Sequence, residues 1–362
     1  MLGTAPLRGL TMCIALALLA AAAAAPGAYE NYQIESETTC VGPADKAFDA
    51  TDTWTSGGFT FSVAGARASV HAAEKPAAGR LGVLAAVKDF SPETQANLRS
   101  FLGAFRKAGV SAIVVDGDSA SGVDDQDSTL AELFGFLGAE GLPVYGIIGN
   151  SESRSAFNRA LLTAFRAHPN VLNLDLVRRI EGDGFTLVSL PGYFDKRYIH
   201  ESAGCRYKPE DTQELLRLAK GAPSPVVLIS HGPPLQEGRT ALDVTEDGHN
   251  VGDPELAAAI AEARIHFGIF GHILEAGGRA TDLAGRKTIK AGVPAPALYL
   301  NPGPAFADPW NLNNGGVSHG MAAILTIKNG KAEWQPLRAG VPAGPPKRRG
   351  RMSRLRGRSS IY

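Results

Sequence analysis

Five polar residues stand directly behind five apolar, strand-like runs. "SAIVVDGD" closes on Asp118, "VYGIIGN" on Asn150, "VVLISH" on His231 and "IHFGIFGH" on His272, while "ALYLNPGP" opens its loop with Asn301. A carboxylate, an amide oxygen and two imidazoles make a mixed oxygen and nitrogen donor set, suited to a borderline divalent ion such as Mn, Fe or Zn. Gly117, Gly149 and Gly271 sit beside three of these donors, where the backbone must turn tightly. Taken singly, each residue has an ordinary structural reading. Asp118 or Asn150 could cap the next helix, and His272 could be a hydrogen-bonded core histidine. The shared placement, one residue behind each run, is what joins them.

That placement has meaning only if the runs are neighbouring strands. From Leu81 onward, apolar runs alternate with helical patterns. "SPETQANLRSFLGAFRKAG" has a Ser cap, Pro in the first turn, apolar Leu98, Phe101, Leu102 and Phe105, and a closing Gly, which predicts a helix. Further helices are expected over about 128–141, 153–168, 209–220 and 254–263. The alternation predicts an α/β layered domain over 81–340. Antiparallel pairing is expected at "MAAILTIKNGKAEWQPL", where Asn329-Gly330 is a hairpin signal. In such sheets the loops at the carboxyl edge converge on one crevice, which would make the five residues neighbours. Upstream, "GFTFSVAGARASVH" alternates as a strand and "AAEKPAAGR" reads as a linker, so 29–80 is taken as an N-terminal extension.

The ordered series Gly117-Asp118, Gly149-Asn150-Ser151-Glu152, Ser230-His231-Gly232-Pro233-Pro234, Gly271-His272 and Asn301-Pro302-Gly303-Pro304 resembles the calcineurin-like metallophosphoesterases of the purple-acid-phosphatase superfamily, over roughly residues 81–335. The resemblance implies a four-layer α/β/β/α sandwich that hydrolyses phosphate mono- or diesters with two metal ions bridged by Asp118. It makes Asp118, Asn150 and His231 the catalytic residues. Three family motifs are broken. Asp-x-His falls on Ala86-Val87-Lys88, Gly-Asn-His-Glu has become Gly149-Asn150-Ser151-Glu152, and Gly-His-x-His has become Gly271-His272-Ile273-Leu274. By the resemblance, Ala86, Lys88 and Leu274 occupy first-metal positions. Ser151 replaces the imidazole that steadies the phosphate or protonates the leaving group. The second-metal ligands Asp118, Asn150, His231 and His272 all stand. One divalent ion rather than two is therefore expected, with the Lys88 ammonium near the vacated position and replacing part of its charge. Two readings stay open: a slow metal-dependent phosphoesterase acting on a phosphoester or other small anionic ligand, and a catalytically impaired pseudo-phosphoesterase that binds a ligand or belongs to the cell envelope.

Other residues carry less weight. Asp243, His249 and Asp253 lie in the loop after "SHGPP", Glu275 follows His272, and His319 precedes the last hairpin. Lys196, Arg197, Arg206 and Lys208 form a basic stretch that a phosphate could meet. Residues 1–28 read as an export signal, with Arg8 before an apolar run and small residues at its end. A periplasmic or extracellular location follows from that reading. There Cys40 and Cys205 either pair or stay as free thiols. The net charge of zero hides an asymmetry: the tail 341–362 carries seven basic residues and no acid, so the body is acidic. An acidic body argues against nucleic-acid binding by the folded part. The tail reads as a disordered end or as a contact for an anionic surface. Oligomeric state has no signature in the sequence.

Overall fold

The computed structural model describes residues 27–340. The expected export signal, apart from Gly27 and Ala28, and the basic tail lie outside the described residues. Along the chain run α1 (Gly27–Glu35), β1 (Asp52–Ser56), β2 (Phe59–Val63), β3 (Arg67–Ala72), β4 (Gly79–Ala85), α2 (Pro92–Ala108), β5 (Ala112–Asp116), α3 (Gln126–Gly138), β6 (Val144–Ile147) and α4 (Arg154–Ala167). There follow β7 (Val171–Asn173), β8 (Arg179–Gly182), β9 (Phe185–Leu190), α5 (Pro209–Ala219), β10 (Val226–Ser230), α6 (Pro254–Glu262) and β11 (Phe267–Ile269). Last come β12 (Arg279–Thr281), β13 (Leu298–Asn301), β14 (Trp310–Asn311), β15 (Val317–Ser318), β16 (Met321–Lys328) and β17 (Lys331–Arg338).

The helices begin and end where their sequences dictate. Ser91 accepts from the Thr94 N–H at the start of α2, Pro92 occupies the first turn, and Gly109 closes the helix in the left-handed conformation. Asp125, Ser153 and Asp253 cap α3, α4 and α6 in the same way. Asp118 and Asn150 therefore cap none of these helices, and the ordinary reading of both falls away.

Two sheets stack face to face. One has six strands in the order β17-β16-β4-β5-β6-β7, with β4 to β7 parallel. The other has nine, in the order β1-β2-β3-β8-β9-β10-β11-β13-β12, with β9, β10, β11 and β13 parallel. Between them lies a dry core that includes Leu81, Val83, Val114 and Ile147 from one sheet and Leu187, Ile229, Ile269 and Leu300 from the other. Leu98, Phe101, Leu133 and Phe157 of α2, α3 and α4 cover the outer face of the first sheet. Leu215, Leu218, Leu256 and Ile260 of α5 and α6 cover the second. The layers run α/β/β/α, as the resemblance implied. The 52–72 stretch is built into the larger sheet, because β3 pairs in parallel with β8.

Candidate metal centre

The carboxyl ends of β5, β6, β10 and β11 meet at one edge of the stacked sheets, and their next residues turn toward one another. His231 Nε2 stands 2.8 Å from Asn150 Oδ1 and 3.3 Å from Asp118 Oδ1. His272 Nδ1 stands 2.9 Å from the same Asn150 oxygen. Asp118, His231 and His272 each offer a ligand atom within 4.8 Å of the others. An ion with bonds of about 2.0–2.2 Å sets neighbouring donors about 3 Å apart, so the spacing suits a shared cation.

Each side chain is aimed by something behind it. Asn150 Nδ2 donates to the Tyr198 carbonyl at 2.7 Å, which turns its oxygen toward the imidazoles. His231 Nδ1 faces the Asp116 carbonyl at 3.2 Å, so Nδ1 carries the donated proton and Nε2 points at the other donors. Asn301, the fifth strand-end residue, is a fastener and not a donor of the cluster. Its Nδ2 bonds the carbonyls of Gly271 and Ile273, which hold His272 between them. Gly117 and Gly149 are obligatory here. A Cβ on Gly117 would meet His231 Nδ1 at 2.3 Å, and one on Gly149 would meet the Asp118 nitrogen at 2.4 Å.

Asp118 has φ +51°, a left-handed backbone that a non-glycine residue adopts at a cost of about 1–3 kcal/mol. The surrounding bonds hold it there. Its Oδ1 accepts from the Ser151 N–H at 3.2 Å, and its carbonyl accepts from the Lys88 N–H at 2.9 Å. Glu152 knits the same loops together, since its carboxylate accepts from the N–H groups of Ser119, Ala120 and Gly149.

The charges are set by this crowding. Burial works against an ionised Asp118, but the charge and hydrogen bond of His231, aided by His272 and Lys88, hold its carboxyl well below the usual range. Burial also works against a charged His231, yet Asp118, then Asp116 and Glu152, push it up to about 9. For His272, desolvation and the neighbouring His231 lower it to about 3. Burial, then Asp118, raises Glu152 to about 7 against the pull of His231 and the backbone donors. The cluster thus balances one carboxylate against one imidazolium, and a divalent ion would take the place of the His231 Nε2 proton.

The positions where the resemblance expected first-metal ligands carry other chemistry. Ala86, Leu274 and Phe306 form a small buried apolar cluster of their own. Ala86 and Lys88 have φ +46° and +61°, so the backbone is strained at two non-glycine residues there. Ser151 is buried, its carbonyl bonded by Gln126.

A cleft of about 620 Å³ is lined by Arg197, Tyr198, Glu246, Asp247, His249 and Glu275 among others, and Tyr198 links it to Asn150. Of the secondary candidates, His249 and Glu275 reach this cleft. Asp243 instead anchors its own loop through the Gln236 and Gly252 N–H groups, and Asp253 caps α6 and accepts from the Tyr207 hydroxyl. The His319 carbonyl accepts from Asn97. The basic stretch is engaged locally: Arg197 pairs with Asp195, and Arg206 bonds the Phe194 carbonyl. Cys40 and Cys205 form a disulfide.

Sequence reasoning missed the aromatic wall. The Tyr193 ring lies 4.0 Å from that of His272, centre to centre, and Tyr198 lies edge-on to it at 6.2 Å. Tyr193 follows β9, so the strand-end rule applied to "FTLVSLPGY" reaches it. Phe306 and Trp310, which cover Lys88, carry no such signal, because their approach depends on how the chain after β13 folds back.

Comparisons with known proteins bear on the fold and the family. The sequence profile of the calcineurin-like phosphoesterases matches residues 82–276, more than half of the chain. One solved structure superimposes with a TM-score of 0.52 at 17% identity, covering 71% of this chain and 98% of its own. The protein TT1561 of Thermus thermophilus gives 0.48 at 14% identity, covering 72% and 100%. A dimetal phosphatase from Danio rerio gives 0.46 at 14%, covering 72% and 99%. No curated protein matches the chain significantly. Fold, strand-end donors and sequence profile converge, and the chain belongs to the calcineurin-like phosphoesterase family.

Proposed function

We propose that this protein is an exported metal-dependent phosphoesterase that hydrolyses phosphate mono- or diesters slowly, with a single divalent ion held by Asp118, Asn150, His231 and His272. One observation supports the reading: Asp118, Asn150, His231 and His272 converge on one another, while Ala86 and Leu274, at altered family positions, join Phe306 in a buried apolar cluster. The donor chemistry fits Mn, Fe or Zn. Such an ion lowers the pKa of bound water and polarises a phosphoryl oxygen. The chain's own residues do the rest. Asp118 supplies the anionic donor, Asp116 and Tyr198 aim His231 and Asn150, and the Tyr193 ring packs against His272. With Ser151 where an imidazole would stand, proton transfer to the leaving group loses a factor of about 10²–10⁴.

That same serine favours the second reading, a pseudo-phosphoesterase that binds its ligand at the ion without turnover. Assaying an activated aryl phosphate and a bis-aryl phosphate with wild type and His231→Ala separates the two. The enzyme reading expects turnover that falls at least about 100-fold in the variant. No turnover in metal-loaded wild type establishes the binder, and equal turnover in both proteins sinks the site.

Export rests on the reading of residues 1–28 and agrees with the Cys40–Cys205 disulfide, since such bonds persist in oxidising compartments. Among the described residues no helix is long and apolar enough to cross a membrane. In this reading 29–80 extends a phosphoesterase domain of 81–340, and 341–362 is a basic tail, a disordered end or a contact for an anionic surface.

A further inference from the structure

Lys88 stands beside the apolar cluster yet is not part of it. Its backbone N–H donates to the Asp118 carbonyl at 2.9 Å and its own carbonyl accepts from the Ser121 N–H at 2.8 Å, which ties the residue to the loop of the central carboxylate. Its Nζ lies 5.1 Å from the ring centre of Phe306 and 4.8 Å from that of Trp310. Two aromatic faces thus hold the ammonium by their quadrupoles, a contact that uses up none of its N–H donors. Phe306 serves twice, closing the carbon cluster with Ala86 and Leu274 and carrying the cation on its ring. Trp310 belongs to the short β14–β15 hairpin and is itself partly exposed at 37%. The ammonium therefore sits half-buried between these rings, where burial lowers its pKa and the carboxylates of Asp118 and Glu275 act against that.

A point charge with three donors, close enough to act electrostatically on Asp118 and His272 of the metal-type cluster, is suited to an anionic oxygen. The two rings restrict its reach. Resting on the single-ion reading, we propose that Lys88 binds a phosphoryl oxygen of the substrate. The ligand is then held between one metal ion and one ammonium where dimetal sites use two ions. Phe306 and Trp310 are the positioning residues that fix the ammonium.

The test is the affinity of the full chain for inorganic phosphate, measured by calorimetry with metal stripped and with metal loaded, in wild type, Lys88→Met and Lys88→Arg. Metal content is measured on the same samples. The expected result is a phosphate Kd at least about tenfold weaker in Lys88→Met in both states, about threefold or less in Lys88→Arg, and unchanged metal content. An unchanged Kd in folded Lys88→Met overturns the proposal while leaving the single-ion reading intact. A Lys88-dependent Kd in protein that takes up no metal supports the Lys88 assignment and sinks the single-ion reading. Should Lys88→Met fail to fold, the emission of Trp310 in wild type decides. A phosphate-dependent change that disappears in Trp310→Phe supports the proposal, and phosphate binding without any change overturns it.

Discussion

At the scale of single residues, the donors were legible because each is a chemically marked type at a marked place. Asp118, Asn150, His231 and His272 follow apolar runs and are flanked by glycines that leave room for nothing larger. The groups that aim them were not legible, since the Asp116 and Tyr198 carbonyls are backbone atoms that any residue could supply. Asp175 is a further example. Its Oδ1 accepts from the Ile148 N–H, two residues before Asn150, while its Oδ2 has no partner among the described residues. Burial raises this carboxyl well above its ordinary value, against the pull of the Ile148 N–H and of Arg178. A folded-state pKa raised above the unfolded one means that the native state favours the protonated acid. Its stabilising contribution is full below about pH 4 and is lost as pH rises through the folded value. Asp175→Asn keeps the acceptor and removes the charge. Urea midpoints measured at pH 5 and pH 8 are expected to shift in the variant's favour at the higher pH, and a shift the other way would contradict the assignment.

At the scale of elements, the long periodic helices and the final hairpin were readable, whereas β7, β8, β12 and α1 were not. Those strands run for three or four residues, too few for alternation to show. The loop 86–89 is more instructive. φ at Ala86 and Lys88 is positive, and their N–H groups bond the Gly117 and Asp118 carbonyls. Restoring Ala86→Asp, Lys88→His and Leu274→His together with Phe306→Ala, which reopens the volume, is expected to raise bound metal by about one equivalent. The same triple change without Phe306→Ala should not. Metal analysis of both proteins checks this, and equal content in the two would show that Phe306 does not fill the position.

At the scale of the whole molecule, the disulfide spans 165 residues and joins the N-terminal arm to the loop that carries Tyr193 and Tyr198. Closing so long a loop restricts the unfolded chain, and its loss should cost about 2–5 kcal/mol. The loop also holds Asn150 through the Tyr198 carbonyl. Cys40→Ser with Cys205→Ser is therefore expected to lower the thermal midpoint and weaken metal binding together. A lower midpoint with unchanged metal affinity would mean that the loop holds its place without the bond. The sequence marked both cysteines and left their pairing open, because pairing depends on the fold bringing the arm across α4. The layered architecture itself followed from the strand and helix rhythm.

The number of ions the centre holds decides between one-metal and two-metal chemistry. Purified protein, reloaded with Mn, Fe or Zn and freed of excess, should carry about one equivalent by elemental analysis, and His231→Ala should carry almost none. Two equivalents in the wild type would contradict the single-ion centre, and none would contradict the centre altogether.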